Sequence, residues 1–151
     1  MTDAPVIEPG DPDEARHLLE ASHAMMLELF DPDANHFLSL DALRRPDIRF
    51  FVARLDARVA GCGALALRDG YGEIKSMFVD PDIRRAGVAG RLIERLESEA
   101  RTFGLPFLRL ETGNLLEAAQ ALYRRQGFEL CGPFGEYAAH PQSVFMEKRL
   151  G

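Results

Sequence analysis

The spacing of apolar residues divides the first half of the chain into a helical part and a strand part. Over residues 12–30 the apolar positions recur at helical spacing, which predicts an amphipathic helix with Asp11 or Asp13 as its N-cap. A short second helix is predicted at 39–46, where Pro46 ends it. The sequences RFFVARL, VAGCGALAL and EIKSMFV then read as strands separated by short turns. Consecutive strands with such short turns predict an antiparallel meander.

The second half of the chain alternates helices and strands. EIKSMFV spans Glu73–Val79, a helix is predicted at Gly90–Phe103, and a strand follows at Phe107–Thr112. A strand, a helix and a strand in this order predict a right-handed parallel crossover. A further helix is predicted at residues 114–126. The last strands are predicted at FELCG and SVFMEKRL. We therefore expect an α/β protein with a mixed, mostly antiparallel central sheet of about six to seven strands and helices on both faces.

Composition and charge narrow the classes of protein that fit. The 151 residues are the size of one ordinary domain, so we expect a single domain over residues 1–151. The net charge of −6 argues against a general nucleic-acid binder, which would carry a basic footprint. No apolar run approaches the roughly 18 residues of a membrane span, and the N-terminus lacks a signal-peptide pattern. We therefore expect a cytoplasmic protein in which Cys62 and Cys131 are reduced core residues.

The loop DIRRAGVAG, between the third strand of the meander and the next helix, carries the clearest candidate chemistry. Gly87, Ala89 and Gly90 have little or no side chain, so a ligand can approach their backbone amides. Arg84 and Arg85 suit phosphate oxygens, and a helix N-terminus attracts anions. From the residues alone, the loop is either an anion site or an ordinary strand-to-helix connector. It lacks the Gly-Lys-Ser/Thr ending of a nucleotide P-loop and the spacing of a dinucleotide fingerprint.

Two segments of the chain resemble one enzyme family. RRAGVA, Arg84–Ala89, resembles the Arg/Gln-x-x-Gly-x-Gly/Ala signature of the GNAT family of N-acetyltransferases. NLLEAAQALYRRQGFE follows in that family's order, and the resemblance extends over residues 49–128. The segments LETG, GPFGEY and HPQSVFMEKRL resemble a bacterial subgroup of small single-domain acetyltransferases. The resemblance implies a sheet whose parallel strands are splayed apart, acetyl-CoA as co-substrate, and no metal.

The resemblance also assigns cofactor-binding residues. In the GNAT family the loop amides bind the pyrophosphate of acetyl-CoA, and the preceding strand pairs with the pantetheine arm. Asn114 matches a family asparagine that contacts the cofactor, and a helix N-cap is a compatible role for it. The cofactor-binding candidates are therefore Met77, Phe78, Val79, Arg84, Arg85, Ala86, Gly87, Val88, Ala89, Gly90, Asn114 and Tyr123.

Acetyl transfer to an amine needs a neutral amine and a stabilised leaving thiolate. Tyr123 matches a family tyrosine near the thioester sulfur, which implies a general acid; a buried core tyrosine is the alternative. The base is open between Glu73, Glu111 and water, with Glu73 first because it matches the family's frequent base position. Glu73 and Lys75 are two residues apart and so face the same side of the sheet. Lys75 then keeps Glu73 ionised, binds an acidic substrate, or forms a purely structural ion pair.

The acceptor side is the least defined part of the sequence. The family pattern predicts a larger or basic residue at Ser76 and an acid at His140, and these departures leave the acceptor open. His36 is expected in a surface loop, and the resemblance implies that the first helix and residues 30–37 form the other wall of the acceptor pocket. The candidate substrate-binding residues are Lys75, Glu111, Phe30 and Tyr137.

The function implied by the resemblance is acetyl-CoA-dependent N-acetylation. The acceptor is expected to be a primary amine of a small molecule or a protein, acetylated by direct transfer. The alternative is a CoA-binding regulatory or sensor module without turnover. We expect neither nucleic acid nor membrane as a partner, and the C-terminal strands suggest a homodimer.

Overall fold

The molecule is built on one continuous β-sheet, in a computed structural model that describes residues 4–83 and 87–151. Its strands are β1 (Val6–Pro9), β2 (Ile48–Leu55), β3 (Arg58–Arg68), β4 (Tyr71–Val79), β5 (Phe107–Gly113), β6 (Glu129–Cys131) and β7 (Ser143–Arg149). They are ordered β1–β2–β3–β4–β5–β7–β6 in the sheet. Neighbouring strands are antiparallel except for β4 and β5, which are parallel. The predicted mixed, mostly antiparallel sheet is therefore confirmed.

Helices cover both faces of the sheet. The α-helices are α1 (Arg16–Leu29), α2 (Val88–Thr102) and α3 (Glu117–Arg125). Alternate residues of β2 point to opposite faces, so Phe50 belongs to the core under α1, with Leu18 and Leu19. Phe51 belongs to the core under α2, with Leu92 and Leu96. This alternation explains why RFFVARL is apolar at consecutive positions, since the strand is buried on both sides.

Short polar signals set where the first helical segments begin. Asp11 caps a 3₁₀ turn at Pro12–Ala15: its carboxylate accepts a hydrogen bond from the Asp13 N–H at 2.8 Å. Glu14 completes the capping box by accepting from the Asp11 N–H at 2.9 Å. The predicted second helix is only a single 3₁₀ turn, Ala42–Arg44. The remaining 3₁₀ turns among the described residues are Pro32–Ala34 and Pro81–Ile83.

The parallel strands β4 and β5 pair only at their beginnings. Gly72 lies opposite Leu108 and Glu73 opposite Arg109, and no further pair joins the two strands. β4 is also irregular, because Ser76 and Met77 together stand opposite a single residue of β3. Ser76 has a backbone φ of 57°, a left-handed conformation that is uncommon for a residue other than glycine. This bulge bends β4, and the predicted splay of the two strands is present in the structure.

The helix α3 begins later than the sequence indicates. Asn114 is not its N-cap: the cap position is Leu116, and no side chain caps the helix. The reason is that the Asn114 N–H donates to the Gln142 carbonyl at 2.9 Å, so the chain still extends the edge of β5 at this point. The helix ends at Arg125, two residues before Gly127, as predicted.

The two cysteines differ in burial. Both carry free thiols. Cys62 is fully buried, and burial raises the pKa of its thiol to about 12. Cys131 is only partly buried, so the prediction of a core residue is right for Cys62 alone. Among the described residues, no helix is long and apolar enough to cross a membrane.

Candidate active site

A large channel opens where β4 and β5 diverge. Its volume is about 690 Å³, and its walls come from the end of β4, the first turn of α2, and α3. Arg125 adds a positive charge to the wall, although the sequence analysis did not identify it. The channel contains every predicted cofactor residue of β4 and of the described part of the loop: Met77, Phe78, Val79, Gly87, Val88, Ala89 and Gly90.

The start of α2 leaves backbone amides available at this channel. Gly87 is the N-cap residue with φ 73°, and as a glycine it has no side chain to cap the helix N-terminus. The first N–H groups of a helix have no partner within the helix, and they carry the positive end of its dipole. A side chain at Gly87 would adopt a disfavoured backbone conformation. The other predicted members of the loop, Arg84, Arg85 and Ala86, lie outside the described residues.

A second, smaller cavity adjoins the channel. Its volume is about 130 Å³, and α1, the segment after it, β4, β5 and α3 all contribute to its walls. Most of the lining is apolar, with Lys75, Ser76, Glu111 and Thr112 as polar exceptions on the sheet side. Residues common to the two cavities mark their junction: Met25, Met77, Phe78, Leu116, Ala119 and Tyr123.

Tyr123 lies at this junction on α3. The residue is 6% exposed, and its ring packs against Phe128 with the ring centroids 5.6 Å apart. Burial alone raises the pKa of its hydroxyl, so the phenol stays protonated. Tyr123 is therefore part of the core and also lines both cavities, while its role as a general acid stays a prediction.

Glu73, the first candidate base, is held in a network with other side chains. It is 3% exposed and accepts a hydrogen bond from the Tyr137 hydroxyl. The ammonium of Lys75 lies 3.4 Å from its carboxylate, and the guanidinium of Arg68 lies 3.8 Å away. We call Arg68, Glu73, Lys75 and Tyr137 the Glu73 network. Glu73 does not line either cavity.

The Glu73 network joins the sheet to two loops. Lys75 donates to the Tyr137 hydroxyl at 2.9 Å and to the His36 carbonyl at 2.8 Å. The His36 ring also meets the Tyr137 ring edge-on, with centroids 4.9 Å apart. Burial, together with the nearby Glu73 carboxylate, raises the pKa of Tyr137. Lys75 thus holds both loops beside the smaller cavity, as well as pairing with Glu73.

Glu111, the second candidate base, faces the smaller cavity from β5. Burial raises the pKa of its carboxyl to about 7, and Lys75 opposes part of that rise. The Ser143 hydroxyl lies close enough to lower this pKa somewhat, yet it has no hydrogen-bond partner among the described residues. The Ser76 hydroxyl at the same cavity is likewise buried and unpaired within that part of the chain. Of these two serines, Ser76 lines the cavity and Ser143 does not.

Besides Glu73, three candidates among the described residues lie outside the cavity walls. Phe30 is buried over Gly113, where a Cβ would overlap its ring. Tyr137 packs against Phe134 and Phe145, and its hydroxyl is used within the Glu73 network. Asn114 is exposed and lines neither cavity. Its role in cofactor binding stays a prediction from the resemblance.

Further residues of the smaller cavity come from α1 and from residues 30–37, where the sequence predicted the other wall of the acceptor pocket without singling them out. Met25 and Met26 belong to the apolar stripe of α1, but they are only partly buried. His36, expected on the surface, lines the cavity, and burial and the Lys75 charge lower the pKa of its imidazole. A further sequence signal is that α1 carries more apolar residues than Leu18 and Leu19, the two that its core contact buries.

Comparison with known proteins identifies the family. Residues 14–128 match the Acetyltransferase (GNAT) family. An "IAA acetyltransferase" of Azospirillum brasilense is 48% identical over 140 residues, covering 91% of this chain and 92% of that protein. The chain therefore belongs to the GNAT acetyltransferase family, and the predicted acyltransferase is confirmed at that level.

Solved structures agree with this assignment. A Klebsiella pneumoniae protein assigned as an acyl-CoA N-acyltransferase has a TM-score of 0.84 and 33% identity, covering 97% of this chain and 98% of that one. The PaiA N-acetyltransferase of Thermoplasma acidophilum, solved with coenzyme A, has a TM-score of 0.72 and 15% identity over 97% of this chain and 99% of that one. At that identity the second likeness concerns the fold, and the coenzyme A complex is a property of the Thermoplasma protein.

Proposed function

We propose that this protein transfers the acetyl group of acetyl-CoA directly to a small primary amine. The observation that carries the proposal is the junction of the two cavities at Tyr123. A wide channel and a small cavity that share a wall can bind two substrates at once with their reacting groups in contact. Direct transfer needs this arrangement, because no covalent acetyl-enzyme stage separates the substrates.

The channel fits acetyl-CoA in size and in chemistry. Its volume of about 690 Å³ is within the range of a cofactor site. Free amides at the start of α2 suit a pyrophosphate, and Arg125 supplies a positive charge. The unpaired edge of β4, from Ser76 to Val79, offers backbone groups to the amides of a pantetheine arm. We therefore assign the channel to acetyl-CoA.

The smaller cavity, which we call the acceptor cavity, fits a compact acceptor. At about 130 Å³ it admits a short side chain or a small molecule, and its apolar lining suits an apolar body next to the amine. Glu111 favours a positively charged group, whereas the Lys75 ammonium is already bonded to His36 and Tyr137. These features favour a small cationic amine over an acidic acceptor.

Tyr123 is the group best suited to stabilise the leaving thiolate. A buried and protonated phenol donates a hydrogen bond to developing negative charge more strongly than it would in water. A free thiol has a pKa of about 8.5, so full proton transfer from Tyr123 is favourable only if the hydroxyl is reprotonated. The proton that the amine nitrogen loses during transfer serves this purpose.

Two measurements test the proposal. Acetyl-CoA at saturating concentration should raise the melting temperature by mass action, and an unchanged melting temperature contradicts the assignment of the channel. Thiol release from acetyl-CoA across a panel of primary amines then separates an enzyme from a sensor module without turnover. Small apolar amines should react fastest, and a preference for carboxylate-bearing acceptors contradicts the proposed acceptor class.

A further inference from the structure

We propose that Glu111 takes the proton from the acceptor's ammonium group, and that Glu73 positions the walls of the acceptor cavity instead. This inference rests on the proposed function, because it concerns the acceptor of the same site. It assigns the base to β5, whereas the sequence placed Glu73 of β4 first.

The two glutamates differ in what they face. Glu73 lies at the last paired position of the parallel strands, opposite Arg109. Its carboxylate is taken up by Tyr137, Lys75 and Arg68, and it does not line the acceptor cavity. An acceptor in the cavity therefore does not reach Glu73 without breaking the Glu73 network.

Glu111 lies two residues beyond the last paired position of β5, where the strands have separated. The separation exposes its side chain to the acceptor cavity, which Tyr123 lines as well. Glu111 is placed to act on the amine, which enters from the acceptor cavity. Tyr123 is placed to act on the thiolate, which leaves into the channel. The base and the acid therefore act on different reacting groups.

The surroundings of Glu111 fit this task. Four groups influence its carboxyl: Lys75 and Glu73 on β4, His140 in the loop before β7, and Ser143 at the start of β7. Burial dominates these influences and raises the pKa of Glu111 to about 7. A base with a pKa near the working pH accepts a proton efficiently and releases it again to solvent.

The proton and electron balance closes without an additional reactant. Glu111 takes one proton from the ammonium, which leaves a neutral amine with a free electron pair. This pair forms the new N–C bond as the C–S bond breaks, and the sulfur leaves with the bonding electrons. Tyr123 protonates the sulfur and regains a proton from the acylated nitrogen. Glu111 finally releases its proton to water.

Glu111→Gln separates this role from a structural one. For a primary alkylamine we expect kcat/KM to fall about 100-fold, because the neutral amide cannot accept the proton. For the matching hydrazide, whose terminal nitrogen is unprotonated at neutral pH, the loss should be about tenfold smaller. The wild-type kcat/KM should rise with pH to a plateau above about 7, and this step should vanish in Glu111→Gln.

Two variants, Glu73→Gln and Glu129→Gln, serve as controls for Glu111→Gln. Glu73→Gln should raise KM for the amine and the hydrazide equally and keep the pH step, since the base remains. Glu129, exposed on the edge strand β6, should tolerate the change without effect. Equal losses for both acceptors in Glu111→Gln, or loss of the pH step in Glu73→Gln, would overturn the inference.

A titration by NMR tests the same point without turnover. In protein labelled with ¹³C at glutamate carboxyls, one signal should titrate near pH 7, be absent in Glu111→Gln and persist in Glu73→Gln. If the signal is absent from the wild type or survives in Glu111→Gln, the inference is wrong. If the signal behaves as expected but no amine is acetylated, the proposed function fails instead, so the two failures are distinguishable.

Discussion

The acetyl-CoA channel and the acceptor cavity share a wall but are assembled differently. The channel is formed mainly by the end of β4, the start of α2 and α3, and five of its lining residues are glycine or alanine. The acceptor cavity collects side chains from α1, the segment after it, β4, β5 and α3. Its shape depends on Lys75, which bonds to His36 and to Tyr137.

The channel depends on residues that are neighbours in the sequence, whereas the acceptor cavity depends on packing between distant segments. A site made of backbone amides needs only a turn, a helix start and small residues next to each other in sequence. A site made of distant side chains needs every supporting contact in place. We therefore expect substitutions in the channel to affect acetyl-CoA, and substitutions in the Glu73 network to affect the acceptor.

Tyr123→Phe should have the largest effect, because Tyr123 belongs to both regions. We expect kcat to fall about 100-fold, while the dissociation constant of acetyl-CoA stays the same, since the ring still fills the junction. Stopped-time thiol assays and calorimetric titration with acetyl-CoA check the two halves of this expectation. Tyr71→Phe, outside both cavities, is the matched control, and unchanged turnover in Tyr123→Phe contradicts the acid role.

Lys75→Met should affect only the acceptor side. It removes the hydrogen bonds at 2.8 Å to His36 and 2.9 Å to Tyr137, so the loops are held less firmly. We expect about a tenfold rise in KM for the amine and no change in KM for acetyl-CoA. Lys148→Met, which breaks the 2.5 Å ion pair with Glu97, is the matched control. A rise in KM for acetyl-CoA with Lys75→Met would contradict the separation of the two regions.

Gly87→Ala should affect only the channel side. An alanine at φ 73° costs about 1 kcal/mol, and relief of that strain would shift the amides at the start of α2. We expect about a fivefold rise in KM for acetyl-CoA, with KM for the amine unchanged. Gly70→Ala introduces the same kind of strain at φ 83° in the turn before β4, away from the channel. It should lower stability without changing KM for acetyl-CoA, and equal effects of both variants on that KM contradict the prediction.

The pH dependence of stability should carry the smallest signal. Burial raises the pKa of Glu111 to about 7, so the folded protein holds a proton that the unfolded chain releases above its ordinary value of 4.5. This contribution is fully present below that ordinary value and is lost as the pH rises through about 7. Between about pH 5 and pH 8 the melting temperature of the wild type should fall by a few degrees relative to Glu111→Gln. Parallel melting curves for the two proteins would contradict a raised pKa.

The channel could be predicted from sequence because its determinants are adjacent. The run from Met77 to Gly90 contains the strand end, the small residues and the helix start, and both Met77–Val79 and Gly87–Gly90 line the channel. The same holds for Tyr123, whose position on α3 follows from one helical motif. Asn114 shows the limit, because its backbone N–H bonds to Gln142, which is distant in the sequence, and this contact delays the start of α3.

The sequence could not decide between Glu73 and Glu111 as the base, because the choice depends on what surrounds each side chain in the folded protein. Glu73 and Glu111 both lie on strands of the parallel pair, and nothing in the local sequence distinguishes a carboxylate bonded to Tyr137 from one that faces a cavity. The contact of Phe30 with Gly113 is equally non-local, and so is the bulge at Ser76. The homodimer stays a prediction.

The short pairing of β4 with β5 has a consequence for the folded molecule as a whole. Only Gly72–Leu108 and Glu73–Arg109 join the two strands, so β1–β4 and β5–β7 are almost separate sheets that meet along a brief seam. A ligand whose amides bond to β4 would extend that seam and slow local opening. Amide hydrogen exchange at residues 76–79 should then slow when acetyl-CoA is present, while exchange in β2 stays the same. The protein would therefore resist unfolding and proteolysis better when acetyl-CoA is abundant.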